Sequence, residues 1–183
     1  VDTQTPTFVW HRDTTYACFL SHYKQEAASD CRYLHDILCK MLRSPIYYDS
    51  STLSDLRTLF SEGIHQSDCI VLMATKGVLT RPWCLLEIFE AHVHRVPIIS
   101  IGLTGLTWNT ADMRDYIDNL ETTMGEYNPG ALEVIHDHMG ENLDPLKDAV
   151  LKVLDVWDET PEHKRLEWNP HVGDNEMIAN LQD

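Results

Sequence analysis

Basic residues are scarce: 14 lysines and arginines stand against 29 aspartates and glutamates, a formal net charge of −15. A nucleic-acid backbone and an anionic membrane both recruit surplus Lys and Arg, so neither is expected as a main partner. Long apolar runs are missing too. The longest, Cys69 to Ala74, falls far short of the roughly 20 residues that span a bilayer, and the first residues lack the charged-then-apolar order of a secretory signal. The expected location is the cytoplasm. C-x-x-C spacing is also absent: Cys18, Cys31, Cys39, Cys69 and Cys84 are odd in number and sit in apolar segments. That reads as buried or half-buried thiols in a reducing compartment.

No Pro/Gly/Ser-rich linker divides the 183 residues, so one domain is expected over 1–183, with a core at about 14–157 and an extension over 158–183. A chain that opens on Val1 reads as a piece of a longer polypeptide, with further domains expected beside it.

Several ligand-binding patterns are lacking. There is no G-x-x-x-x-G-K-[ST] and no G-x-G-x-x-G, which excludes a P-loop and a dinucleotide-binding turn; no G-x-S-x-G offers a nucleophile elbow. A phosphate-accepting receiver needs an aspartate near the end of its third strand, where this chain has Ala74 and Thr75. Histidine pairs raise the question of a metal. On one helix His92 and His94 point about 200° apart, and Glu133 with His136 supplies only two ligands, His138 lying off their face. Surface histidines and no metal are the expectation.

What is present is an alternation of strands and helices. Tyr16–Ser21, Ile46–Tyr48, Asp68–Ala74 and Val96–Leu103 read as strands. Ala27, Ala28, Cys31, Leu34, Leu38, Met41 and Leu42 follow helical spacing between the first two, and Leu56, Leu59, Phe60 and Ile64 between the next. Thr52 and Asp55 make a capping box for that second helix. Strand–helix alternation implies a parallel sheet covered on both faces. Beyond Leu103 the pattern is mostly helical, over 113–124, 129–139 and 143–157, and the tail from Pro161 reads as a short loop and a terminal helix; a fifth strand is left open.

The richest stretch is Arg81-Pro82-Trp83-Cys84-Leu85-Leu86-Glu87-Ile88. Pro82 suits a first helical position, and four residues of spacing stack Trp83 and Glu87 on one face. The helix opens after the third strand, where open α/β sheets hold their ligand crevices. Against this, Leu85, Ile88, Phe89, His92 and Val96 form the apolar stripe, and Glu87 lies opposite with Glu90 and His94. By pattern alone Glu87 is therefore a solvated surface glutamate. A helix start can lower the pKa of Cys84, but a packed thiol three residues from Glu87 is the expected state.

These residues resemble the TIR (Toll/interleukin-1 receptor) domains. Tyr16-Ala17-Cys18-Phe19-Leu20-Ser21-His22 is similar to the family's first strand, Tyr48-Asp49-Ser50 to the end of its second, and Ser67-Asp68-Cys69-Ile70-Val71-Leu72 to its third. Trp83-Cys84-Leu85-Leu86-Glu87-Ile88 is similar to the Trp-Cys-x-x-Glu-Leu segment of plant and many microbial members. The resemblance implies a flavodoxin-like α/β fold, a parallel sheet of strand order 2-1-3-4 with helices on both faces and a helical tail. In the enzymatic branch it implies cleavage of the nicotinamide–ribose bond of NAD, giving linear or cyclic ADP-ribose, in defence or cell-death signalling. NAD is then a substrate, and no cofactor is implied.

On this resemblance Glu87 is the catalytic glutamate. Ser21, His22, Tyr23 and Lys24 line the site after the first strand, where the sequence departs from the family's Phe-Arg-Gly or Tyr-Arg-Arg. Asp49 and Ser50 come from the loop after the second strand, and Arg81, Trp83 and Cys84 from the helix start. Trp83 and Tyr23 would flank flat rings, and Lys24 and Arg81 would face the pyrophosphate. Self-association through TIR–TIR contacts is also implied, the loop from Asp49 to Leu53 completing a neighbour's site. The rival reading is a TIR scaffold that binds other TIR domains and cleaves nothing.

Overall fold

The computed structural model describes residue 10 and residues 13–48, 59–128, 130–169 and 171–172. Five strands form one sheet: β1 (Phe19–Ser21), β2 (Tyr47–Tyr48), β3 (Ile70–Ala74), β4 (Ile98–Leu103) and β5 (Leu166–Trp168), in the order β2-β1-β3-β4-β5. Every pairing is parallel, with Phe19 opposite both Tyr47 and Ile70, Ile70 opposite Ile98, and Ile101 opposite Leu166. The order reverses at β1 and β3, the switch point at which adjacent crossovers depart to opposite faces and leave a crevice above the strand ends. The helices among the described residues are α1 (Lys24–Leu42), α2 (Pro82–His94), α3 (Thr110–Asp118), α4 (Leu120–Tyr127), α5 (Ala131–Met139) and α6 (Asp144–Glu159).

Period-two alternation divides the central strands between two cores. Phe19, Ile70, Leu72 and Ala74 face a core shared with Leu85, Leu86 and Ile88 of α2 and Leu146, Val150 and Leu154 of α6. Leu20, Val71 and Met73 face the other way, onto Cys31, Leu34 and Met41 of α1 and onto Trp168. A strand buried on both faces must be apolar throughout, and β3, Ile-Val-Leu-Met-Ala, is fully buried. All five cysteines are free; four are buried and Cys39 is half-buried. Among the described residues no helix is long and apolar enough to cross a membrane.

Three expectations change. The fifth strand exists: Leu166–Trp168 pairs with β4 in a stretch that reads from sequence as loop and terminal helix. Only Trp168 of its three residues is buried, so the apolar signal is a single residue. Of the second helical run only the end is described, and there it is a π-turn over Leu59–Gly63 followed by a 3-10 turn over Ile64–Gln66. A Cβ at Gly63 would meet the Phe19 and Tyr47 rings at 3.0 Å, and that tight approach to the sheet sets the irregular path. The helix expected over 113–124 divides at Asn119 into α3 and α4. The Thr52–Asp55 capping box lies outside the described residues.

Candidate functional site

The site is built where β1 and β3 end. After Ser21 the chain turns through His22, and Tyr23 occupies the N-cap position of α1, with Lys24 exposed as its first residue. After Ala74 it runs through Thr75, Lys76 and Gly77 into a 3-10 turn over Val78–Thr80, and Arg81 caps α2 with Pro82 at its start. The two loops are tied together. Gly77 N–H donates to Glu26 Oε2 at 2.9 Å, and the Arg81 guanidinium stacks 4.7 Å from the centre of the Tyr23 ring. A Cβ on Gly77 would lie 2.9 Å from Glu26 Oε1 and 3.0 Å from the Tyr23 ring, so any side chain there displaces one of them.

Glu87 points into this junction. It is 7% exposed, and Ser21 Oγ donates to its Oε2 at 2.5 Å, joining the first turns of α2 to the last residue of β1. The surface reading of Glu87 therefore fails. It assumes one solvent face, but α2 packs against the sheet, α5 and α6 together, and Cys84, Leu85, Leu86, Glu87, Ile88 and Ala91 are all buried. His92, assigned to the apolar stripe, is exposed instead.

Two thiols report the carboxylate's field. Burial, then the charge of Glu87, pushes the Cys84 thiol well above its ordinary pKa, and the same causes in the same order raise Cys31. Cys84 is thus a packed, protonated thiol whose Sγ donates to the His22 carbonyl at 3.6 Å, which is no state for a nucleophile. His22 is buried, its ring stacked 5.5 Å from that of Tyr48 at the end of β2. Trp83 does not share the burial of Glu87; at 41% exposed it stands outward at the helix start.

Ser21, His22, Tyr23, Arg81, Cys84 and Glu87 are thus brought together where β1 and β3 end, with Lys24 and Trp83 exposed beside them. Asp49 and Ser50 lie outside the described residues. Glu26, Gly77 and Thr75 belong to the same neighbourhood and are not evident from the sequence. Gly77 directly after a strand is the one available signal, since glycine there marks a close backbone approach. Thr75 is fully buried and its hydroxyl has no partner among the described residues. A cavity of about 320 Å³ between the end of α2, the start of β4 and α6 lies at the other edge of the sheet and touches none of these groups.

No protein-family model matches the chain, and no curated protein matches it. Solved structures do. One is the TIR domains in the "Structure of the activated Roq1 resistosome directly recognizing the pathogen effector XopQ", with a TM-score of 0.60 at 16% identity, covering 91% of this chain and 97% of that one. At that identity the likeness concerns the fold. The chain has the fold of a TIR domain.

Proposed function

We propose that this domain cleaves the nicotinamide–ribose bond of NAD, with Glu87 as the catalytic carboxylate. The observation that carries the reading is a carboxylate, 7% exposed, held by the Ser21 hydroxyl at 2.5 Å where β1 and β3 end. Hydrolysis of most glycosides needs a second carboxyl group to protonate the leaving oxygen. Nicotinamide is already cationic in NAD and departs neutral, so one carboxylate suffices. As the bond from C1′ to the ring nitrogen breaks, its electron pair leaves with nicotinamide and positive charge grows on the ribose. A fixed carboxylate in a water-poor pocket offsets that charge without reorganising. Water then adds at C1′ and its proton leaves through Glu87 to solvent, giving ADP-ribose; attack by a group of the substrate itself gives the cyclic product.

Arg81 and Lys24 provide the local positive potential that an anionic dinucleotide needs on a chain of net charge −15. Tyr23, already under Arg81, offers a flat face for a ring. The neighbour's description as part of an activated resistosome supports a signalling role in defence through self-association. It equally supports the non-enzymatic scaffold. Incubating the purified protein with NAD and following nicotinamide by chromatography separates them: release in the wild type, lost in Glu87→Gln, is the expected result, and no release from an assembled sample overturns the enzyme.

A further inference from the structure

At the opposite end of the strands three histidines gather round one glutamate. Glu90 and His94 stand one turn apart on α2, and His65 lies in the 3-10 turn that leads into β3. His65 Nε2 is 3.0 Å and His94 Nε2 3.5 Å from the same oxygen, Glu90 Oε2. Nε2 of His138, on α5, is 2.8 Å from the other oxygen, Oε1. The ion-pair partners of Glu90 among the described residues are all imidazoles, so its charge has no permanent counter-ion there.

We infer that His65, Glu90 and His94 form a zinc site. The three donor atoms lie within 4.8 Å of one another. A tetrahedral ion with ligand bonds of about 2.0–2.1 Å keeps its donors about 3.3 Å apart, and the observed 3.0 and 3.5 Å bracket that value. Two imidazoles and a carboxylate are the donor set of zinc sites that keep a fourth position open. The open position faces solvent beside His94, whose side chain is 46% exposed. Binding needs a lone pair on each Nε2, so each ring carries its proton on Nδ1. His138 holds the free oxygen of Glu90 and so orients the ligand, and Phe60 packs edge-on against the His138 ring at 5.0 Å.

The pairs visible in sequence do not assemble. His92 lies against Lys152 Nζ at 3.2 Å, and His136 reaches Glu141 at 3.7 Å. The ligand set is completed across elements, by His65 from 25 residues before Glu90. Bound zinc would pin the turn before β3 to the end of α2 and stabilise the domain from the end remote from Glu87.

The test is calorimetric titration of the full chain, stripped with a chelator, with zinc chloride. One ion per chain is expected, with a rise in melting temperature of about 5–10 °C when free zinc is 100-fold above its Kd. His65→Ala and His94→Ala should each weaken binding by more than the about 10–100-fold expected for His138→Ala, and His163→Ala, on an exposed turn, should leave it unchanged. Binding as tight in the His65→Ala/His94→Ala double variant as in the wild type overturns the site. Should the variants fail to fold, diethyl pyrocarbonate labelling of the wild type decides. Zinc should protect His65 and His94 and leave His163 reactive; equal labelling with and without zinc overturns the proposal.

Discussion

Glu87 and Glu90 sit three residues apart on α2 and live in different chemistry. Glu87 looks toward the carboxyl ends of the strands, where a hydroxyl donates to it and burial keeps the neighbouring thiols protonated. Glu90 looks toward the amino ends, where three imidazoles surround it. The first environment, a buried carboxylate fixed by a hydroxyl, can offset positive charge that appears during a reaction. The second gathers imidazole nitrogens round the carboxylate, which suits a resident cation. One helix thus serves both ends of the strands.

Removing the hydroxyl that fixes Glu87 should sharpen this contrast most. Ser21→Ala leaves a buried carboxylate without that donor, a loss of about 3 kcal/mol, and should lower both denaturation midpoint and kcat for NAD cleavage; urea unfolding beside kinetics measures each. Gly77→Ala forces Tyr23 and Glu26 apart, with a cost of about 1–3 kcal/mol. It should disturb the crevice while zinc affinity at the far end stays at the wild-type value in calorimetry.

Lys24→Ala should act more weakly, since an exposed ammonium neutralises pyrophosphate equally in ground and transition states. KM should rise about two- to fivefold with little change in kcat, and less at high salt. Unchanged KM at low salt would remove Lys24 from the site.

The smallest effect is expected outside both sites. Burial raises the pKa of Asp68, but hydrogen bonds from Trp10 Nε1 at 2.7 Å, Thr14 Oγ1 at 2.7 Å and the Asp13 and Thr14 amides outweigh it, so the net shift is downward. A depressed folded pKa contributes stability that is present above the unfolded value of about 3.9 and fades as pH falls through the folded one. The protection factor of the Thr14 amide should therefore fall below about pH 4 before the sheet opens. Protection of Thr14 that is flat down to global acid unfolding would contradict this.

Much of the architecture was legible because its signals are local. Pro82 marks the start of α2 and the Ile70–Ala74 run a doubly covered strand. The misreadings share one cause, that tertiary contact decides what periodicity leaves open. Glu87 lies on the polar side of its helix by pattern, yet α2 is enclosed on several sides. β5 pairs through three residues with one buried, too little for an apolar run, and Gly63 packs under two rings where the described end of the second helical run is irregular. The Glu90 cluster was invisible for the same reason: spacing along one helix supplies Glu90 and His94, while His65 and His138 arrive only through the fold.

The most direct test compares two isosteric substitutions on the one helix. Nicotinamide release from NAD should be measured for Glu87→Gln and Glu90→Gln beside the wild type, at equal protein concentration and with folding checked by circular dichroism. Glu87→Gln should fall by at least about 10²-fold, the scale of one preorganised electrostatic group, and Glu90→Gln should match the wild type. Wild-type turnover in folded Glu87→Gln, or an equal loss in both variants, would contradict the division of labour between the two glutamates.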